Sequence, residues 1–161
     1  MGDTSYEIEE VVQLTRFTDL GLRVLMYLTQ PERADPVTNA EIAAQFRVPH
    51  NHVIKVVNKL GKLGWVTTRR GRGGGILLGV PADTLRIGDV LRVLEEAEQL
   101  IDCAAPPCVL RGGCQLKYAL DVGLTSFYDT MNRYTLADVS SQRTGAKLAA
   151  LHRNYLGAQP S

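Results

Sequence analysis

The fold follows from residues 38–79, which read TNAEIAAQFRVPHNHVIKVVNKLGKLGWVTTRRGRGGGILLG. Thr38 and Glu41 have the spacing of a capping box, which predicts a short helix running to about Phe46. Pro49 disfavours a helical conformation in the residue before it and suits a first helical turn, so a second helix is predicted to begin there after a turn.

The second helix is predicted to be amphipathic and to end at Gly64. Short strands are expected at 65–70 and 76–79, around the glycine-rich run 71–75, because glycine permits the positive φ of a tight turn. Short capped helices followed by a hairpin are the parts of a winged helix-turn-helix. The inner face of the second helix, at three- and four-residue steps, comprises Val53, Val56, Val57, Leu60 and Leu63.

Further helices are predicted on both sides of this unit. One starts near Phe17, with Thr15 or Thr18 as its N-cap, and another spans 87–96. The apolar positions Leu116, Leu120, Gly123, Leu124, Phe127 and Met131 form a helical stripe from Gln115 onward. A lone helix of this kind needs a second surface, and its small residues Ala119 and Gly123 would let a partner helix approach. We therefore predict a dimerisation helix, with simple packing on its own domain as the alternative.

The chain is expected to be mainly α-helical, with four regions. These are a disordered extension (1–12), a winged helix-turn-helix (13–85), a loop and dimerisation helix (86–140, ending in a short helical turn at 134–139) and a tail (141–161). The last twenty residues show no clear pattern, and His152 is expected at the surface.

Length and charge narrow the class of protein. A chain of 161 residues can bury one good core but hardly two. No stretch approaches the roughly 20 apolar residues of a membrane span, and the N-terminus is not a basic leader, so we expect a cytoplasmic protein. Residues 11–79 carry ten Lys/Arg against four Asp/Glu. This local excess suits a polyanionic partner, although a merely solvated basic face would look the same.

Polar side chains on the outer face of the second helix are candidates for contact with double-stranded DNA. In the major groove, Asn pairs with adenine and Lys with guanine, and the N-terminal end of the helix usually meets the bases. The wing adds arginines beside glycines, which allow close backbone approach to a narrow minor groove. The predicted contacts are His50, Asn51, His52, Lys55, Asn58, Lys59, Arg69, Arg70 and Arg72, with Lys62 also near the phosphates.

All three cysteines, Cys103, Cys108 and Cys114, lie in one loop broken by prolines and glycines. Structural zinc usually takes paired Cys-x2-Cys knuckles, which are missing here. An iron–sulfur cluster suits the looser spacing, and three thiolates leave one iron to find a ligand elsewhere. No constellation of acid, base and nucleophile supports an enzyme.

These residues resemble a known family. The stretches are 14–23 (LTRFTDLGLR), Pro49 to His52, the wing from Arg70, 86–90 (RIGDV), the cysteine spacing and 134–138 (YTLAD). Together they are similar to NsrR-type nitric-oxide-sensing repressors, in the superfamily that also contains IscR. The resemblance implies a homodimer with a winged helix-turn-helix, a long dimerisation helix and a 4Fe–4S cluster in preference to a 2Fe–2S cluster.

The resemblance also implies a fourth cluster ligand, an aspartate in the first helix of the partner subunit, which corresponds to Asp19. From the residues alone, Asp19 is equally a helix N-terminal acid favoured by the dipole. IscR-like members use a histidine three residues after the last cysteine, where this chain has Lys117. We therefore expect a repressor that releases a pseudo-palindromic operator on nitrosylation. The alternatives are a regulator sensing iron or cluster supply and, in another class, an iron–sulfur electron carrier.

Overall fold

The computed structural model describes residues 13–30, 36–96 and 99–159. The predicted disordered extension, residues 1–12, lies outside them. In chain order the elements are α1 (Arg16–Tyr27), α2 (Asn39–Phe46), α3 (His50–Lys62), β1 (Val66–Arg69), β2 (Gly75–Leu78), α4 (Ile87–Glu95), α5 (Gln115–Met131), α6 (Leu136–Val139) and α7 (Gln142–Gly157). No helix within the described ranges is long and apolar enough to cross a membrane.

The helix-turn-helix forms where the sequence predicts it. The Thr38 hydroxyl accepts a hydrogen bond from the Glu41 amide at 3.1 Å and so caps α2. Arg47 ends α2 in the left-handed region, with φ 53°, and Pro49 precedes the first residue of α3. The apolar face of α3 is buried through Val53, Val56, Val57 and Leu60. This packing fixes which face of α3 is left for solvent.

The two strands form an antiparallel hairpin, the wing, in which Val66 pairs with Leu78 and Arg69 with Gly75. The Ile76 amide donates to the Val37 carbonyl at 2.7 Å, so the hairpin is joined to the segment that leads into α2. A Cβ at Gly75 would lie 2.6 Å from that same carbonyl oxygen. Glycine is therefore required here for the close approach of the wing to the helix-turn-helix.

Helix α1 lies at the centre of the core. Val24 and Leu25 are fully buried, and α1 packs on both α3 and α4. Thr15 is its N-cap, because the Thr15 hydroxyl accepts from the Thr18 amide at 3.2 Å. At the other end, the Tyr27 hydroxyl donates to the Glu41 carboxylate at 2.5 Å in a buried setting. A buried carboxylate needs such a donor, and this one ties α1 to α2.

Helices α4 and α5 cross closely. A Cβ at Gly88 would collide with the Tyr128 backbone carbonyl and lie 2.5 Å from Asn132 Oδ1. The Asn132 side chain accepts from the Asp89 amide at 2.8 Å and donates to the Asp89 carboxylate at 2.9 Å. The α4–α5 crossing is thus set by the missing side chain of Gly88 and by a two-way hydrogen bond.

The C-terminal region corrects the sequence analysis. Residues without a clear pattern form α7, which contacts α2. His152 is 8% exposed, so the expectation of a surface histidine is wrong. Its ring stacks on Tyr27 with centroids 3.8 Å apart, and its Nε2 is 2.9 Å from the Tyr27 carbonyl oxygen. The apolar ring of Tyr27 at the end of α1 provides a surface on which α7 docks.

Candidate nucleic-acid interface and cysteine loop

The outer face of α3 is exposed. Residues 51, 55, 58 and 62 follow one another at steps of four, three and four, opposite the buried valines. This spacing places them along one line of the helix. His50 and His52 are also exposed and flank the line at its N-terminal end. The structure therefore brings together on one surface the predicted contacts Asn51, Lys55 and Asn58, together with Lys62.

Lys59 differs from the other lysines of α3. Its Nζ donates to Glu96 Oε1 at 2.6 Å, and the side chains are 34% and 68% exposed. This hydrogen bond, together with the positive charge of Lys59, lowers the pKa of the Glu96 carboxyl below its usual range. Lys59, a predicted DNA contact, is thus paired with an acid in α4's C-cap.

The wing carries its arginines at its tip. Arg69, Arg70 and Arg72 are exposed, and Gly71 and Gly73 have φ of 97° and 71°. These angles lie in the region that favours glycine, so the glycine run shapes the turn that presents the guanidinium groups. Exposed arginines on a narrow hairpin and an exposed polar helix face are two kinds of surface that proteins use to contact DNA.

The cysteine loop, residues 99–114, connects α4 to α5. Cys108 is exposed, and Cys103 and Cys114 are half-buried. The Cys108 amide donates to the Cys103 carbonyl at 3.2 Å. Cys114 is the N-cap of α5, where its Sγ accepts from the Lys117 amide at 3.4 Å. The N-terminus of a long helix favours negative charge, which suits a thiolate ligand at this position.

A cavity of about 550 Å³ opens beside this loop. Cys103 and Cys114 both line it, together with Arg111, Lys117 and Asp121, and Cys108 lies outside the lining. Across the three described ranges, no group of three His, Cys, Asp or Glu side chains is close enough to hold a metal ion. The soft donors nevertheless suit a thiolate-bound cluster, with Arg111 beside them, whereas the Lys117 ammonium is paired with the Asp121 carboxylate.

Asp19 lies in the first turn of α1, away from the lining of this cavity in its own chain. Its carboxylate accepts from Arg23 Nε at 2.9 Å, and both side chains are about half exposed. This is an i, i+4 surface pair, which usually contributes little to stability. The carboxylate is therefore accessible from outside its own subunit.

Helix α5 uses two faces differently. Tyr128 is buried, and the Arg92 guanidinium lies 4.5 Å from the centre of its ring. Leu124 and Met131, from the predicted stripe, pack against the core of the same chain. The stripe is thus divided, because one side of α5 is already occupied by α4. The exposed apolar residues of α5 lie on two sides of the helix, with Leu116 and Phe127 on one side and Tyr118 and Val122 on the other.

Sequence reasoning missed two residues at the end of α4. Glu95 Oε1 accepts from the Thr15 amide at 2.7 Å and from its hydroxyl at 3.2 Å. Glu96, the next residue, pairs with Lys59. Adjacent acids at a helix end look like ordinary solvated charges, so nothing in the local pattern indicates that they link the base of the cysteine loop to α1 and α3.

Solved structures of regulators have a similar fold. CymR of B. subtilis, the global cysteine regulator, matches with a TM-score of 0.66 at 23% identity, over 81% of this chain and 97% of that chain. The oxidized form of CymR from Staphylococcus aureus matches with 0.64 at 22% identity, over the same shares of the two chains. IscR of T. potens matches with 0.63 at 20% identity, over 93% of each chain.

These likenesses confirm the mainly helical fold with a small antiparallel hairpin, a winged helix. The family to which the chain belongs is identified by a match of its sequence to a family model. The model of the Rrf2 family, described as "Iron-dependent Transcriptional regulator", matches residues 14–142. This is most of the chain and includes α1 to α6. The chain therefore belongs to the Rrf2 family of DNA-binding transcriptional regulators, whose members are not enzymes.

Proposed function

We propose that this Rrf2-family regulator is a homodimeric, NsrR-type repressor that senses nitric oxide through a 4Fe–4S cluster. Cys103, Cys108 and Cys114 supply three ligands, and the partner subunit's Asp19 supplies the fourth. The winged helix-turn-helix of residues 13–85 binds a pseudo-palindromic operator, and residues 86–140 hold the cluster and the dimer interface. Nitric oxide releases the operator.

The observation that carries the proposal is the confinement of every cysteine to one loop. All three cysteines lie within residues 103–114, and two of them line one cavity. Thiolates in a reducing cell serve metals or redox chemistry better than a disulfide framework. Arg111 lines the same cavity, where its charge would offset that of a thiolate-bound cluster.

The position of the loop supports a switch. It lies in the chain between the DNA-binding unit and α5, whose exposed apolar side chains suit contact with a second subunit. When bound, the cluster would supply iron to which nitric oxide can bind. An oxygen ligand from Asp19 would join one subunit's loop to the other's α1 and so fix the distance between the two recognition helices. Half-sites one turn apart require about 34 Å between them.

The DNA side of the proposal rests on the exposed line on α3 and on the wing. Asn51 and Lys55 are placed near the N-terminal end of α3 for base contact, with His50, His52 and Asn58 beside them. Arg69, Arg70 and Arg72 supply positive charge for the sugar–phosphate backbone or the minor groove. Lys59 would add a phosphate contact when it is not paired.

The first experiment tests the cluster. After anaerobic purification, the wild type should contain iron and sulfide and absorb in the visible range. Cys103→Ala, Cys108→Ala and Cys114→Ala should each lose the chromophore while staying folded. Val109→Ala is the matched control, since this side chain is 98% exposed in the same loop. Full iron and sulfide in the triple cysteine variant would refute the ligand assignment.

The second experiment tests the signal. Operator binding is compared for cluster-free, cluster-loaded and nitric-oxide-treated protein, and only the loaded form should bind tightly. Equal operator affinity in all three states would refute the proposed sensing mechanism. Because the Rrf2 family is described as one of iron-dependent regulators, iron or cluster supply is the second candidate signal. That candidate predicts a response to cluster loading with no release by nitric oxide.

The third experiment tests the DNA contacts. Arg70→Ala and Arg72→Ala should weaken binding to all duplexes and flatten its salt dependence, since each lost phosphate contact lowers the slope by about 0.9. Asn51→Ala should relax the preference at particular bases, at a cost of about 1–3 kcal/mol per lost bidentate contact. Arg133→Ala, an exposed arginine beyond α5, is the charge-matched control. Wild-type titration curves for all three variants would refute the assignment.

A further inference from the structure

The C-cap of α4, which precedes the cysteine loop in the chain, is ion-paired with α3. Glu96 is the C-cap of α4 and has φ 55°, a left-handed conformation that ends the helix there. Its carboxylate accepts from Lys59 Nζ at 2.6 Å, across 37 residues of sequence. Cys103 follows Glu96 by seven residues, which span at most about 25 Å when extended. The cysteine loop therefore follows, within a few residues along the chain, the residue that holds Lys59.

Lys59 also lies within reach of the DNA-facing surface. It follows Lys55 by four residues and precedes Lys62 by three, so the three lysines are neighbours on one side of α3. Lys55 and Lys62 are exposed, whereas Lys59 is half-buried against Glu96. An ammonium on a flexible four-carbon stem could turn from the carboxylate to a phosphate within reach of the neighbouring lysines.

We propose that Glu96 withholds Lys59 from the DNA backbone, and that the position of the cysteine loop decides whether Lys59 is released. Glu96 is then a positioning residue for DNA binding, and Lys59 is a conditional phosphate contact. The loop-dependent part rests on the proposed function, in which occupancy of the loop is the signal. A partly exposed ion pair is weak enough to exchange, so a phosphate can compete for the same ammonium.

If Glu96 keeps Lys59 from the DNA, substitutions at these two residues should change the affinity for duplex DNA in a defined way. In cluster-free protein, Glu96→Gln should bind duplex DNA about fivefold tighter at 0.1 M salt, and its salt slope should steepen by about 0.9, because one more phosphate is neutralised. In a Lys59→Gln background, Glu96→Gln should change neither quantity. The dependence of one substitution on the other shows that Glu96 acts through Lys59.

The measurement is a fluorescence-anisotropy titration of the full-length chain at several salt concentrations. The probe is the strongest duplex that the wild type selects from a random library. Asp83→Asn is the matched control, because it removes one exposed negative charge elsewhere in the chain. The inference is overturned if Glu96→Gln gives no gain, if the gain persists in the Lys59→Gln background, or if Asp83→Asn gives the same gain.

The loop coupling is tested by repeating the titration with cluster-loaded protein. Since a cluster in the loop should already release Lys59, Glu96→Gln should no longer raise the affinity for DNA, and the ratio of affinities should fall to about one. An unchanged gain in the two forms overturns the coupling. If instead the loaded and cluster-free wild types bind DNA equally, the proposed function fails, and the Lys59–Glu96 result in cluster-free protein still decides whether Glu96 withholds Lys59.

Discussion

Gly88→Ala tests whether the α4–α5 crossing depends on a missing side chain. Gly88 is buried in the first turn of α4, where α5 passes directly over it. The added Cβ would collide with the Tyr128 backbone carbonyl and lie 2.5 Å from Asn132 Oδ1. This carbonyl accepts a hydrogen bond from the Asn132 amide at 2.9 Å in the last turn of α5, so it cannot rotate away freely. The two helices must therefore separate, or Asn132 must move.

The magnitude follows from three contributions. Overpacking a closely packed site costs about 1–3 kcal/mol, and a backbone obstacle places this case at the upper end. Moving Asn132 breaks the 2.8 Å hydrogen bond from the Asp89 amide, a loss of about 1 kcal/mol. Alanine is a better helix former than glycine by about 1 kcal/mol at most, which offsets the second contribution. We expect a net destabilisation of about 2–3 kcal/mol.

Urea unfolding, monitored by circular dichroism at fixed protein concentration, measures the difference in unfolding free energy between Gly88→Ala and the wild type. Gly61→Ala is the matched control, because its Cβ would meet nothing closer than the Val66 carbonyl oxygen at 3.8 Å, and the control should be neutral or slightly stabilising. If Gly88→Ala is within about 0.5 kcal/mol of the wild type, close to the error of such comparisons, the crossing is not set by this contact.

Three further substitutions test other parts of the structure. Gly123→Leu has open space around it within one chain, so it should leave the fold of the subunit intact and weaken dimerisation, as measured by analytical ultracentrifugation; an unchanged dissociation constant would place the partner elsewhere. His152→Ala should cost about 2–3 kcal/mol, because it leaves a cavity beside Tyr27 and the Tyr27 carbonyl loses a contact, and urea unfolding of wild type and variant should reveal this. Thr135→Ala removes the cap of α6 and should cost about 1 kcal/mol in unfolding free energy. Hydrogen bonds from the Thr135 amide and hydroxyl lower the pKa of the Asp138 carboxyl, so they stabilise the fold above about pH 4, and this stability is lost as the pH falls through the lowered pKa. In an acid titration, Thr135→Ala should therefore lose less unfolding free energy than the wild type. Identical acid profiles for the two proteins would contradict this account.

The winged helix-turn-helix could be predicted because its signals are local. The Thr38 cap, the break before Pro49 and the periodic valines of α3 each act within a few residues. The glycine run of the wing acts locally too, because it permits the positive φ of the turn. The candidate site could be predicted for a similar reason, since all three cysteines are close in the sequence. The cluster and its fourth ligand remain predictions.

Only the tertiary structure decided the contacts between distant segments. Nothing local to Glu96 indicates a partner 37 residues earlier, and nothing local to His152 indicates a ring of α1. The stripe on α5 was one pattern in the sequence, but packing on α4 divides it between the core and the exposed side. Periodicity reports how apolar a helix face is. Which neighbour covers that face depends on the arrangement of the whole chain, because the hydrophobic effect is not directional and any apolar surface can cover the face.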